Sequence, residues 1–147
     1  MIQAYRPINI LLVEDNPGDV ELTEDALRRS KVTTKVAVVN DGEDALEYLN
    51  SRDDGSMPDL VLLDLNLPKK DGMEVLKEMR GDPNLKHIPV VVLTTSEAER
   101  DILASYQLGA NCFISKPVDL NEFRKVVESI DDFWFTIVKL PNGSSRL

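Results

Sequence analysis

The sequence predicts an α/β fold with an open, doubly wound parallel sheet, and two observations support that prediction. Five short apolar runs alternate along the chain with amphipathic segments, which is the pattern of five consecutive β/α units. The apolar runs also lack alternating polar residues, as expected for parallel strands that helices cover on both faces. The predicted strands are residues 8–13, 35–39, 60–63, 90–93 and 112–114.

Helices are predicted between the strands because apolar residues recur there at spacings of three and four, with charged residues opposite. The first helix follows the turn residues Asn16, Pro17 and Gly18, and the fifth begins after Asp119, a preferred residue type for an N-cap. The apolar stripes of the first four helices are Leu22, Ala26 and Leu27; Ala45, Leu46 and Leu49; Val75, Leu76 and Met79; and Ala98, Ile102 and Tyr106.

Length and composition set bounds on the kind of protein. The 147 residues, 42% of them hydrophobic, fit one domain over residues 1–147, with residues 131–147 as a C-terminal extension of the last helix. A formal net charge of -9 argues against nucleic acid and anionic membranes as partners. Cys112 is the single cysteine, and no apolar run approaches the ~20 residues that a bilayer requires, so a cytoplasmic location is expected.

Polar residues stand where the predicted strands end. Glu14 and Asp15 follow the first strand, Asp64 the third, Thr94 the fourth, and Lys116 comes just after the fifth. The carboxyl ends of parallel strands share one edge of a sheet, where α/β folds bind ligands. Gathered carboxylates repel one another unless a cation joins them, and oxygen ligands favour Mg²⁺. Lys116 and the Thr94 hydroxyl would then face an anion, which indicates phosphoryl transfer.

Each of these features alone also occurs in purely structural roles, since a Thr-Thr-Ser run often caps a helix and a Lys-Pro pair often forms a turn. Their joint placement at the ends of four separate strands favours the functional interpretation.

Four segments resemble the receiver domain of two-component response regulators. They are LLVEDNPGD at residues 11–19, VLLDLNLPKKDG at 61–72, IPVVVLTTS at 88–96 and GANCFISKP at 109–117, and the resemblance covers nearly the whole chain. It implies a flavodoxin-like (βα)5 sheet with the strand order 2-1-3-4-5.

The resemblance also implies roles for individual residues. Asp64 corresponds to the phosphoacceptor, and Glu14 and Asp15 to the acids that bind Mg²⁺ with it. Asn66 occupies the position whose backbone carbonyl is a further metal ligand. Lys116 corresponds to the lysine that binds the phosphoryl group.

Two positions match the residues that change conformation when a receiver is phosphorylated. Thr94 corresponds to the switch hydroxyl, and Phe113 to the switch aromatic, which is often tyrosine in the family. Packing in the core is the alternative role for Phe113. The resemblance further implies that the Lys116-Pro117 peptide bond is cis.

The whole pattern is most similar to small stand-alone regulators that are paired with bacterial phytochrome histidine kinases. The implied function is to accept a phosphoryl group from such a kinase on Asp64 and to change the surface for protein–protein signalling. A regulator of another kinase, or an intermediate in a phosphorelay, remains an alternative. No enzymatic activity is expected beyond the protein's own phosphorylation and dephosphorylation, and no DNA-binding module is expected after residue 147.

Three other functions agree less well with the residues. A haloacid-dehalogenase-type phosphatase needs a second acid two residues after its nucleophile, and that residue is Asn66. The EDNPGD segment after the first strand would repel the phosphate of a flavin. A degenerate receiver that only binds partners would lack Asp64 or Lys116, and both are present.

The end of the fifth helix predicts a homodimer. Phe133, Trp134 and Ile137 lie on more than one helical face, beyond the length that usually covers the sheet. Exposed together they would form an apolar patch typical of interfaces. In the alternative, the segment folds back over its own domain.

Overall fold

The computed structural model describes residues 7–29, 33–53, 55–94, 109–110 and 112–115, and the single residues Gln107, Asn121 and Lys125. At Thr94 and in Cys112–Ser115 the description covers the backbone. The predicted fourth and fifth helices lie largely outside these residues, and the predicted extension at residues 131–147 lies wholly outside them.

Five parallel strands form one sheet: β1 Ile8–Val13, β2 Thr34–Val39, β3 Leu60–Asp64, β4 Val90–Thr94 and β5 Cys112–Ser115. Their order in the sheet is β2-β1-β3-β4-β5, which confirms the predicted fold class and strand order. Each strand begins and ends within one residue of its predicted bounds, because continuous apolar runs mark strands that are buried on both faces.

Three helices are described, each starting at a polar cap near the carboxyl ends of the strands: α1 Pro17–Arg28, α2 Gly42–Asn50 and α3 Gly72–Gly81. The side chains of Asn16, Asp41 and Asp71 each accept a backbone hydrogen bond from the first turn of the helix that follows. These caps satisfy donors that a helix leaves unpaired.

In the part of the chain that the structure describes, no helix has the length and hydropathy needed to cross a bilayer.

Two hydrophobic clusters cover the two faces of the sheet. Leu11, Val13, Val61 and Leu63 pack on the side of α2 and α3, and the alternate strand residues pack on the side of α1. The predicted apolar stripes of α2 and α3 are buried: Ala45, Leu46, Leu49, Val75, Leu76 and Met79.

The stripe predicted for α1 was wrong at one position. Leu22 is 46% exposed, whereas Thr23 is fully buried with Ala26 and Leu27. Thr23 precedes Ala26 by three residues and Leu27 by four, so it lies directly beneath both. Ala26 and Leu27 face the sheet and fix the rotation of the helix about its axis. This rotation, and not the hydrophobicity of a single leucine, decides that Thr23 is buried and Leu22 is exposed.

Candidate functional site

Three carboxylates meet at the carboxyl edge of the sheet. Glu14, Asp15 and Asp64 each offer one oxygen, and these three oxygens lie within 4.8 Å of one another. The register explains the meeting, because Val13 of β1 is paired with Leu63 of β3 and the acids follow these two residues. The structure thus brings together three of the predicted metal ligands.

The three acids differ in burial. Glu14 is fully buried and Asp64 is 3% exposed, whereas Asp15 is exposed. The backbone N–H of Asn16 donates to Glu14 Oε2 at 3.2 Å, and the N–H of Asn66 donates to Asp64 Oδ1 at 3.2 Å. Each bond fixes the orientation of one carboxylate oxygen. Repulsion between carboxylates about 4 Å apart is still ~4 kcal/mol per pair at an effective dielectric near 20.

The donor set fits a hard divalent cation. Every member of the cluster is a carboxylate, which is the ligand type that Mg²⁺ and Mn²⁺ bind well. Because Asp15 is exposed, a hydrated ion can reach the cluster from solvent and keep several of its waters. The geometry therefore supports one cation that offsets the repulsion of three anions.

The loop between β3 and α3 folds back sharply beside Asp64. Gly72 N–H donates to the Leu65 carbonyl at 3.0 Å, which closes the loop at its base. A Cβ atom at Gly72 would overlap the carbonyl of Asp64, so this close approach requires glycine. Asn66 lies exposed in this loop, and its N–H bond to Asp64 places its backbone beside the carboxylate.

The remaining predicted site residues are described only in part. Thr94 at the end of β4 is paired with Ser115 at the end of β5, and Ser115 immediately precedes Lys116. The backbone of Phe113 is in β5, paired with Val92. The side chains of Thr94 and Phe113, all of Lys116 and the Lys116-Pro117 bond lie outside the described residues, as do Phe133, Trp134 and Ile137.

Sequence reasoning missed the turn at residues 40–42, which touches both loops of the site. The Asn40 side chain donates to the Glu14 carbonyl at 3.0 Å, and Asp41 pairs with Lys69 at 3.6 Å. The Asp44 backbone N–H donates to the Asp41 carboxylate and lowers its pKa; burial opposes this shift and the nearby Lys69 adds to it. An aspartate before the amphipathic run of α2 is an N-cap signal, and it would have identified Asp41.

Comparison with known proteins identifies the family. The response regulator receiver domain matches residues 10–128. The response regulator Rcp1 of Synechocystis sp. is 45% identical over 142 residues, covering 95% of this chain and 97% of Rcp1. The probable methanogenesis regulatory protein FilR2 of Methanothrix harundinacea is 40% identical over 136 residues, covering 91% of this chain and 88% of FilR2.

Solved structures agree with the sequence relatives. The phosphorylated cyanobacterial phytochrome response regulator RcpA is 48% identical with a TM-score of 0.77, covering 92% of this chain and 99% of RcpA. The Mn²⁺-bound form of Rcp1 is 45% identical with a TM-score of 0.74, covering 87% of this chain and 94% of that structure. Phosphorylation by a kinase and a divalent metal in the active site are typical of such domains. The chain belongs to the receiver-domain family of response regulators and is homologous to the response regulator Rcp1 and to the phytochrome response regulator RcpA.

Proposed function

We propose that Asp64 accepts a phosphoryl group from a phosphohistidine of a histidine kinase in a reaction that requires Mg²⁺. The observation that carries this proposal is the meeting of Glu14, Asp15 and Asp64 within 4.8 Å at the carboxyl edge. Mg²⁺ would be held by these three carboxylates and the backbone carbonyl of Asn66. The family membership and the Mn²⁺-bound Rcp1 structure support the same assignment.

The proposed transfer is an in-line displacement at phosphorus. A carboxylate oxygen of Asp64 forms the new P–O bond while the P–N bond to the kinase imidazole breaks, and the imidazole leaves with the bonding electron pair. The bond from Asn66 N–H to Asp64 Oδ1 fixes the orientation of the nucleophile. When bound, Mg²⁺ supplies charge neutralisation for the phosphoryl oxygens. Catalysis by this chain is confined to its own phosphorylation and dephosphorylation.

Lys116, Thr94 and Phe113 are proposed to convert phosphorylation into a change of surface. Lys116 would bind the phosphoryl group, and the Thr94 hydroxyl would move towards it and leave space for the Phe113 ring. The pairing of Thr94 with Ser115 supports this group, because it sets the end of β4 beside the residue that precedes Lys116. A Lys116→Ala protein is expected to fold normally but to keep its unphosphorylated conformation after phosphorylation. Equal activation of variant and parent, seen by NMR, would contradict this role.

The proposed partner is the histidine kinase of a bacterial phytochrome. The similarity to RcpA supports this partner, since RcpA is a phytochrome response regulator. The similarity to FilR2, a probable methanogenesis regulatory protein, supports the alternative of a non-phytochrome kinase or a phosphorelay. The phytochrome and non-phytochrome partners are distinguished by mixing the protein with each purified, phosphorylated kinase and comparing the initial rates of phosphoryl transfer to the protein. A cytoplasmic location stays a prediction from the single cysteine.

We also propose a homodimer formed through the end of the fifth helix. Its support is the sequence alone, where Phe133, Trp134 and Ile137 are crowded into one short segment. Sedimentation at micromolar concentration is expected to give a dimer that the combined Phe133→Ala and Trp134→Ala changes dissociate. A monomeric parent, or a dimer unchanged by both substitutions, would place the interface elsewhere or remove it.

Phosphorylation by a small donor tests the proposed function without a kinase. With acetyl phosphate and Mg²⁺, the parent should gain one phosphoryl group, and Asp64→Asn should gain none. Asp25→Asn is the matched control, because Asp25 lies in α1 and pairs with Arg28 and Arg29 away from the cluster. Equal labelling of Asp64→Asn and Asp25→Asn would rule out Asp64 as the acceptor.

A further inference from the structure

The turn at residues 40–42 follows an outer strand of the sheet and contributes no member to the carboxylate cluster. It nevertheless contacts both loops that carry the predicted metal ligands, the segment after β1 and the loop after β3. Asn40 reaches the first, and Asp41 and Gly42 reach the second.

Asn40 extends the pairing of β1 and β2 by one residue. Val13 is paired with Val39, and the N–H of Glu14 then donates to the Val39 carbonyl at 3.0 Å. The chain turns into α2 after Asn40, so the backbone there no longer continues as a strand. The Asn40 side-chain amide supplies a donor instead, at 3.0 Å from the Glu14 carbonyl. The N–H and the carbonyl of Glu14 are therefore bonded to Val39, the last residue of β2, and to Asn40, which follows it.

This bond acts on two predicted ligands at once. The Glu14 carbonyl belongs to the planar peptide unit that joins Glu14 to Asp15, so fixing its direction also fixes the backbone of Asp15. Asp15 is exposed, so burial does not fix its position. The Asn16 N–H bond to Glu14 Oε2 holds the side chain of Glu14, whereas the Asn40 bond holds its backbone carbonyl.

The same turn supports the loop after β3. A Cβ atom at Gly42 would overlap the Lys70 carbonyl, so the start of α2 packs directly on the loop backbone. The adjacent Lys69 adopts a positive φ of 67°, which is costly for a residue other than glycine. Its ammonium lies 3.6 Å from Asp41 Oδ2. Contact and ion pair together hold the loop that contains Asn66.

We infer that Asn40 is a positioning residue for the metal site: its side-chain amide fixes the Glu14–Asp15 peptide unit, and the turn that it begins also supports the loop carrying Asn66. The inference rests on the proposed function, because it concerns the binding of Mg²⁺ by the same acids. Neighbours of a metal ligand commonly tune affinity in this way.

The test measures Mg²⁺ affinity, phosphorylation and stability in parallel. Asn40→Ala removes the donor without changing charge, and Asn40→Gln keeps an amide donor. Asn84→Ala is the matched control, because Asn84 is also exposed but lies between α3 and β4, before the amino end of that strand. Asn40→Ala is expected to weaken calorimetric Mg²⁺ binding about threefold to tenfold, the range that loss of one hydrogen bond produces.

Saturating Mg²⁺ separates positioning from damage to the fold. The Asn40→Ala defect in phosphorylation by acetyl phosphate should appear at low Mg²⁺ and largely disappear at saturation, and Asn40→Gln should recover part of the affinity. Mg²⁺ affinity of Asn40→Ala equal to that of Asn84→Ala would overturn the inference, as would a loss of stability large enough to account for the defect. A parent that binds no Mg²⁺, or is phosphorylated without it, would instead refute the proposed function, and the inference with it.

Discussion

The two ends of the sheet accommodate charged side chains in different ways. At the amino end, Arg80 donates to the carbonyls of Lys86, Ile88 and Gly109, at 3.1, 2.9 and 2.9 Å. Asp59 there accepts from Asn9 N–H at 2.8 Å, while its own N–H donates to the Asn9 carbonyl. Each charge faces backbone groups of opposite polarity. These residues join the loops before β3, β4 and β5 to the rest of the fold.

At the carboxyl end, like charges are brought together instead. Glu14, Asp15 and Asp64 converge although two of them are nearly inaccessible to solvent. Such an arrangement lowers stability unless a cation joins it. The comparison teaches that a half-buried charge bonded to backbone groups, such as Arg80, does not by itself identify a functional site. Convergence of charges of one sign, at the edge where parallel strands end, is the informative feature.

The largest expected change in stability is at the amino end. Arg80→Met leaves three carbonyls without their donor and should lower the free energy of unfolding by about 2–4 kcal/mol. Phosphorylation by acetyl phosphate should persist under native conditions, because Arg80 is at the opposite end of the sheet. Urea unfolding measures the loss, with Arg28→Met as the control, since Arg28 forms an exposed pair with Asp25. A loss no greater than the control's would remove Arg80 from this structural role.

Magnesium should stabilise the carboxyl end. At a free concentration one hundred times the dissociation constant, Mg²⁺ should raise the free energy of unfolding by about 2.7 kcal/mol, because it binds only the folded cluster. Chelation should reverse the gain. Urea titrations with and without Mg²⁺ measure it, at an ionic strength matched with NaCl. An equal gain from NaCl alone would mean general screening and no specific site.

Asp15→Asn should separate stability from function. Removing one of three converging charges should raise the stability of the metal-free protein by up to about 1 kcal/mol, since Asp15 is exposed and its repulsion is screened. The same variant should lose the Mg²⁺-dependent gain. Thermal unfolding with and without Mg²⁺ measures both effects, and Asp25→Asn serves as the control variant. A less stable metal-free Asp15→Asn protein would indicate that the cluster is not repulsive.

The smallest expected effect is the pH dependence of stability that ionisation of Asp41 causes. Because the Asp44 N–H lowers the pKa of Asp41 below its ordinary value of 3.8, ionised Asp41 contributes stability above that value. This contribution is lost as the pH falls through the lowered pKa of the folded state. Asp41→Asn keeps a cap acceptor without the charge, so the stability difference between parent and variant should narrow from pH 6 to pH 3. A difference independent of pH would contradict this assignment.

Much of this structure could be predicted from local patterns. The five strands were predicted to within one residue because each is a continuous apolar run, and the acids of the site follow from the ends of β1 and β3. Leu22 was predicted wrongly, because helix phase depends on packing that hydrophobicity alone does not reveal. Asn40 was missed because its partner Glu14 is 26 positions away, and no spacing rule connects the two. Contacts between loops belong to the tertiary structure, and they can be identified only when the pairing of the strands is known.

Chemical mapping of the phosphoryl group tests the central claim most directly. Borohydride reduces an aspartyl phosphate to homoserine, so peptide mass spectrometry of the reduced protein identifies the acceptor. After treatment with acetyl phosphate and Mg²⁺, homoserine is expected at position 64, and omission of Mg²⁺ should abolish it. Homoserine at another carboxylate, or phosphorylation that leaves Asp64 unmodified, would contradict the account.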